Sequence, residues 1–134
     1  VQAYSENSLK HGTFMISSGV TTDKTEFVIS KILEVISDIA KNGISLDELN
    51  MAKSSFTGSL YLGLETSDAY SIYFGEQELL KNSLEKPDEY ERKIHAVTSS
   101  DIQKIAKLFS KKGVARLATI GPQKDPHKFE KNLI

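Results

Sequence analysis

The chain has 134 residues, 39% of them hydrophobic and 26% charged, with a formal net charge of −1 at pH 7. That length fits one domain able to bury roughly two thirds of its unfolded surface. Balanced charge excludes the electrostatic footprint of a nucleic-acid or anionic-membrane binder, and the absence of cysteine excludes disulfides and thiolate metal sites. No apolar run is long enough to span a bilayer, and no basic-then-apolar leader opens the chain. The first residue is Val1 rather than Met, which reads as a processed product or an excised fragment.

The first elements read as a β-hairpin, with arms over residues 1–5 and 13–18 joined by the polar connection Glu6-Asn7-Ser8-Leu9-Lys10-His11-Gly12. In the second arm Phe14 and Ile16 alternate with Thr13, Met15 and Ser17, the period of a strand with one buried face, and Gly19 ends it. From about Asp23 the period changes. Phe27, Val28, Ile32, Val35, Ile36 and Ile39 recur at threes and fours, giving one apolar helical stripe. Asp23 with Glu26 is the expected N-terminal cap pair, and Asn42-Gly43 the left-handed stop.

Ser45 and Glu48 have the spacing of a capping box, flanked by Ile44 and Leu49 at hydrophobic-staple positions. Leu49, Ala52, Phe56, Leu60 and Leu64 continue as a stripe, and Thr66-Ser67-Asp68 marks a cap or bend. Another helix follows through Ala69, Ile72, Tyr73, Glu76, Leu79 and Leu80. Glycines at 58, 63 and 75 each cost about 1 kcal/mol inside a helix, a cost offset if they allow close helix-to-sheet approach. Pro87 suits a first helical position ahead of Tyr90, Ile94 and Val97. Thr98 with Asp101 caps a last helix carrying Ile102, Ile105, Ala106, Leu108 and Phe109, which ends at Lys111-Lys112-Gly113. Residues 114–120 read as a closing strand stopped by Gly121-Pro122, and residues 123–134, with Pro126 among them, as a polar extension.

Segregated strands and helices predict an α+β fold: a small, mainly antiparallel sheet of the hairpin plus the closing strand, covered on one face by four or five helices. Three strands under so much helix make a thin sheet, as in half of a larger fold.

Catalytic chemistry is sparse. His11, His95 and His127 stand apart, and neither His-Glu-x-x-His nor His-x-x-Glu-His occurs. No Gly-x-Ser-x-Gly elbow, Gly-x-Gly-x-x-Gly turn or P-loop is present. Asp47-Glu48 and Glu89 with Glu91 fall on helix starts or polar faces, where they complement the helix dipole and aid solubility. Tyr61, Tyr70, Tyr73 and Phe74 could line a groove, though packing in a core and its rim is the usual use of such amphipathic rings. No catalytic or metal-ligating residue is assigned, and substrate-binding residues are not identifiable.

Residues 11–80, from "HGTFMISSGVTTDKTEF" to "SIYFGEQELL", resemble the second half of a domain in the insulinase family of zinc peptidases, which includes pitrilysin and the mitochondrial processing peptidases. The similarity centres on Gly43-Ile44-Ser45-Leu46-Asp47-Glu48-Leu49-Asn50-Met51-Ala52-Lys53, with Leu64-Glu65-Thr66-Ser67, "IHAVTSSDIQKIAKLF" and "ATIGP" following in order through residue 122. The resemblance implies a zinc endopeptidase parent whose His-x-x-Glu-His motif and distal Glu ligand lie in the first half of the catalytic domain, so that zinc belongs there and not to this chain. It implies partnership with the catalytic half or a partner domain of the same family, a peptide substrate held in a chamber between paired domains, and no nucleic-acid or membrane partner. A dimer is among the assemblies it allows. It also places an Arg and a Tyr of the substrate-assisting domain just before the strand that begins near Val1. The rival expectation is an inactive scaffold of the same fold, comparable to the core subunits of respiratory complex III.

Overall fold

A computed structural model describes residues 1–8, 10–122, 125, 127–130 and 133. The chain divides into two compact units, one of Val1–Ser18 with Leu46–Val97 and one of Gly19–Ser45 with Thr98–Ile134. Each is held mainly by a pair of helices.

In the first unit, strands β1 (Gln2–Asn7) and β2 (Gly12–Ser17) pair antiparallel, with Tyr4 opposite Met15 and Ser5 opposite Phe14. Ser8 closes the connection, its N–H donating to the His11 carbonyl at 2.9 Å and its Oγ to the same oxygen at 3.0 Å. Leu9, in the same connection, lies outside the described residues. Met15 and Ile16 are half-buried, whereas Phe14 is exposed.

Helices α2 (Leu46–Gly63), α3 (Ser67–Lys81) and α4 (Pro87–Ala96) complete this unit. Because α2 begins at Leu46, Ser45 and Glu48 take the N-cap and N3 positions their spacing predicts. Thr66 caps α3 by accepting a hydrogen bond from the Ala69 N–H at 3.2 Å, and Asn82 ends it in the left-handed conformation with φ 50°. Pro87 opens α4 at its first position. The Glu89 carboxylate reaches back to the Lys86 N–H at 3.0 Å, which is half of a capping box, since a lysine side chain has no acceptor to return the bond.

The second unit pairs α1 (Thr25–Asn42) with α5 (Ser99–Phe109). Ala40 on α1 and Ala106 on α5 are buried, as is Thr25 at the start of α1, and the two alanines are small enough to let helix backbones come close. A 3₁₀ turn over Thr22–Lys24 precedes α1 and puts Lys24 at the N-cap with no side-chain cap bond. The expected Asp23–Glu26 cap pair is therefore displaced: Asp23 sits within the 3₁₀ turn and Glu26 in the first α-turn.

Gly43 ends α1 with φ +76° while its N–H donates to the Ile39 carbonyl at 2.9 Å. Beside it the Ser99 hydroxyl donates to the Ile44 carbonyl at 2.9 Å and accepts from the Ile44 N–H at 3.4 Å. Gln103 Nε2 donates to the Lys41 carbonyl at 3.0 Å. The start of α5 thus satisfies one carbonyl in the last turn of α1 and both backbone groups of Ile44 just beyond it. Thr98 and Asp101 form the expected capping box, with Asp101 Oδ2 accepting from the Thr98 N–H at 3.1 Å and Oγ1 at 2.6 Å. Those bonds, first that of the Thr98 hydroxyl and then that of its N–H, with help from Lys104, lower the Asp101 pKa to about 2.

The fold is α+β as expected, with five helices and a two-stranded antiparallel sheet among the described residues, and three finer expectations change. Residues 115–120 join no sheet, and among the described residues the sheet holds only β1 and β2. A strand needs a neighbour to complete its ladder, and apolar composition supplies a face but no neighbour. The principal helix contacts are α1 with α5 and α2 with α4, so packing is helix on helix rather than helix on hairpin. A Cβ added at Gly58, Gly63 or Gly75 would meet nothing within 4 Å, so no close approach occurs at these glycines. Within the extension, Pro126 lies outside the described residues, while Phe129 is buried.

Gly43→Val is expected to lower unfolding stability by about 1–3 kcal/mol, because a β-branched residue resists positive φ and its Cβ would stand 3.3 Å from Ser99 Oγ. Urea denaturation checks this, and a variant equal in stability to the parent chain would contradict the described junction.

Candidate functional site

The histidines lie on separate elements. His11 lies on the exposed hairpin connection, His95 at the end of α4, and His127 beyond α5 in the other unit. His95 Nε2 is 3.6 Å from Glu91 Oε1. His127 Nδ1 is 2.6 Å from Glu130 Oε1, and that bond holds the His127 pKa above its ordinary value. Among the described residues no three His, Asp or Glu side chains come together as a metal site.

What the first unit does assemble is a polar clasp across α2 and α4. Tyr61 on α2 donates to Glu91 Oε2 on α4 at 2.7 Å, and this bond to a carboxylate raises the Tyr61 pKa. Lys53 donates to the His95 carbonyl at 2.8 Å, satisfying an acceptor at the C-terminal end of α4. Phe56 and Tyr90 face each other with ring centroids 6.1 Å apart. Glu91 therefore joins two helices, and Glu89 caps one, so the paired carboxylates of the sequence serve structure on separate tasks. Asp47 and Glu48 lie exposed in the first turn of α2.

The aromatic group divides likewise. Tyr70 and Phe74 stack at 6.1 Å, and Tyr73 meets Phe74 edge-on at 5.2 Å, all on α3. Desolvation at the half-buried Tyr73 raises its pKa. Tyr61 belongs to the clasp with α4 instead.

Gln77, 8% exposed, is a polar residue that neither periodicity nor motif singles out. Its amide accepts from the Glu85 N–H at 2.8 Å and donates to the Glu85 carbonyl at 3.3 Å, bracketing the backbone of the α3–α4 connection as a neighbouring strand would. Glu85 is anchored further by Lys93 at 2.8 Å, an ion pair that raises the Lys93 pKa.

Around these polar fixtures the surface is apolar. Phe56 is 49% exposed, Ile72 62% and Leu79 81%, and Leu46, Met51, Leu62 and Leu84 are exposed as well. In the second unit Phe27, 60% exposed, Val35, Ile105 and Leu108 are similarly open. Isolated apolar residues on a surface are ordinary, whereas contiguous apolar patches mark surface that is covered or that binds. Along α2, Ala52, Ser55, Phe56, Ser59 and Leu60 line a shallow depression. Such a surface takes apolar groups out of water.

No family model matches the chain. It is similar over most of its length to an uncharacterized zinc protease of Streptomyces coelicolor, 26% identical over 125 residues that make up 93% of this chain and 27% of the relative. An uncharacterized zinc protease of Bacillus subtilis is 26% identical over 122 residues, 91% of this chain and 30% of its own. The mitochondrial cytochrome b-c1 complex subunit 2 of Mus musculus is 26% identical over 121 residues, 89% of this chain and 26% of its own. The chain is thus a distant relative of proteins named zinc proteases, and it spans no more than 30% of the length of these three relatives.

Gln77→Ala is expected to lower stability by about 1–3 kcal/mol, since it leaves both backbone groups of Glu85 without their partner. Thermal or urea unfolding measures it. A change near zero would mean that water replaces the amide at no cost and that the bracket does not hold the connection.

Proposed function

We propose that this chain is a non-catalytic segment of an insulinase-like zinc endopeptidase and forms part of the wall of the chamber that holds its peptide substrate. The observation that carries this reading is the span of the similarity. About nine tenths of the chain aligns with proteins named zinc proteases, yet it fills less than a third of their length. A segment of that proportion fits a parent in which the zinc ligands and the Glu acting on the attacking water are carried elsewhere, because the His-x-x-Glu-His motif is not in these 134 residues.

The surface suits such a wall. Exposed Phe, Leu, Ile and Tyr side chains favour an extended peptide by covering its apolar groups. Among the described residues β1 pairs only with β2, which leaves an outer edge on each strand, and an unpaired edge takes an extended peptide through main-chain hydrogen bonds. The second reading, an inactive scaffold of the same fold, is favoured by the similarity to the cytochrome b-c1 complex subunit.

The test is to assay the full product of the gene that encodes this chain against an unstructured peptide, with and without a zinc chelator. Cleavage abolished by chelation is expected, with the 134-residue chain alone inert and free of stoichiometric zinc at neutral pH by elemental analysis. A full product that never cleaves moves the assignment to scaffold. One tightly held zinc per isolated chain would overturn the placement of the metal in another segment.

A further inference from the structure

A net charge near zero describes the whole chain but neither of its units. The first unit holds 11 Asp and Glu against 6 Lys and Arg, whereas the second holds 7 against 11. The second is therefore basic, and its cations are gathered: from Lys104 to Lys112 there are four lysines and no carboxylate. On α5 the side toward α1 is marked by the buried Ala106 and by Gln103, which donates to the Lys41 carbonyl. Lys104, Lys107 and Leu108 share another side through their spacing of three and four, and with Ile105 they are exposed. Lys111 and Lys112 follow directly beyond the helix end and are exposed as well.

These cations are largely uncommitted. Lys104 is paired with Asp101 at 3.1 Å, but among the described residues the ammonium groups of Lys107, Lys111 and Lys112 enter no ion pair. One cation in the last turn complements the helix dipole, and Lys107 meets that need alone. We propose that this face of α5 docks an acidic, aliphatic segment of a partner polypeptide, with carboxylates on Lys107, Lys111 and Lys112 and apolar side chains on Ile105 and Leu108. Charge complementarity selects the carboxylates. The aliphatic pair selects polypeptide over nucleic acid, whose phosphates would leave Ile105 and Leu108 in water. A lipid surface fits less well, because two aliphatic side chains give little to insert.

The test uses the full gene product and a labelled helical peptide built of Glu and Leu, with fluorescence anisotropy as the readout. Binding is expected, and the combined change Lys107→Glu and Lys111→Glu should weaken it by about tenfold or more. Leu108→Ser should weaken it by about threefold or more, with the unfolding midpoint of each variant checked against the parent. A matching peptide of Lys and Leu should not bind. Zinc-dependent cleavage plays no part in these readouts, so the zinc-peptidase reading stands or falls separately. No binding of the Glu and Leu peptide overturns the inference. So does binding that Leu108→Ser leaves unchanged, since that is attraction between charges without a docking face. Tighter binding to phosphatidylglycerol vesicles or to duplex DNA, lost with the same lysine changes, also overturns it and assigns the face to lipid or nucleic acid.

Discussion

Apolar helix faces are stable in water only when a second surface covers them. In this chain the cover comes from helix pairs, α1 with α5 and α2 with α4. That supply is short. Among the described residues the buried apolar set is Ala40, Leu49, Leu64, Ala106 and Phe129, and no large side chain is completely enclosed. A chain of this length normally encloses several large aliphatic residues. Phe27 and Val35 on α1, and Ile105 and Leu108 on α5, belong to the stripes that sequence periodicity marks as buried, yet half or more of each remains in contact with solvent.

Polar interactions take up part of what the core leaves undone. Ser99 and Gln103 tie α5 to the end of α1, Tyr61 and Lys53 tie α2 to α4, and Gln77 holds the connection between α3 and α4. Each fixes geometry more than it adds free energy, since a hydrogen bond contributes about 0.5–1.5 kcal/mol net. Residues at such junctions define how helices meet while leaving broad apolar faces unoccupied.

Local chemistry was the legible part of the fold. The hairpin follows from alternation, and the starts of α3, α4 and α5 follow from Thr66, Pro87 and the Thr98–Asp101 box, all of which act within a few residues. Gly43 also ends α1 with positive φ, as the Asn-Gly pair indicates. The start of α1 was misread because a 3₁₀ turn shifts the cap to Lys24, and a carboxylate spacing of three does not distinguish the two turns. The closing strand was misread because pairing depends on a distant neighbour. Tyr61 and Glu91 are 30 residues apart and Lys53 and His95 are 42 apart, so no sequence periodicity could have joined them. The family resemblance rests on ordered spacings such as Gly43 to Lys53, and distant similarity to proteins named zinc proteases is what those spacings lead one to expect.

We propose that the open apolar faces are covered by polypeptide outside these residues. Hydroxyl-radical footprinting reads that cover directly, by comparing the oxidation rates of Phe27, Phe56, Ile72 and Leu79 in the isolated chain and in the full gene product. Most of these side chains are expected to react several-fold more slowly in the full product, because burial removes them from bulk radicals. Equal rates in the two forms would contradict it and would make the exposed faces a permanent surface of the protein.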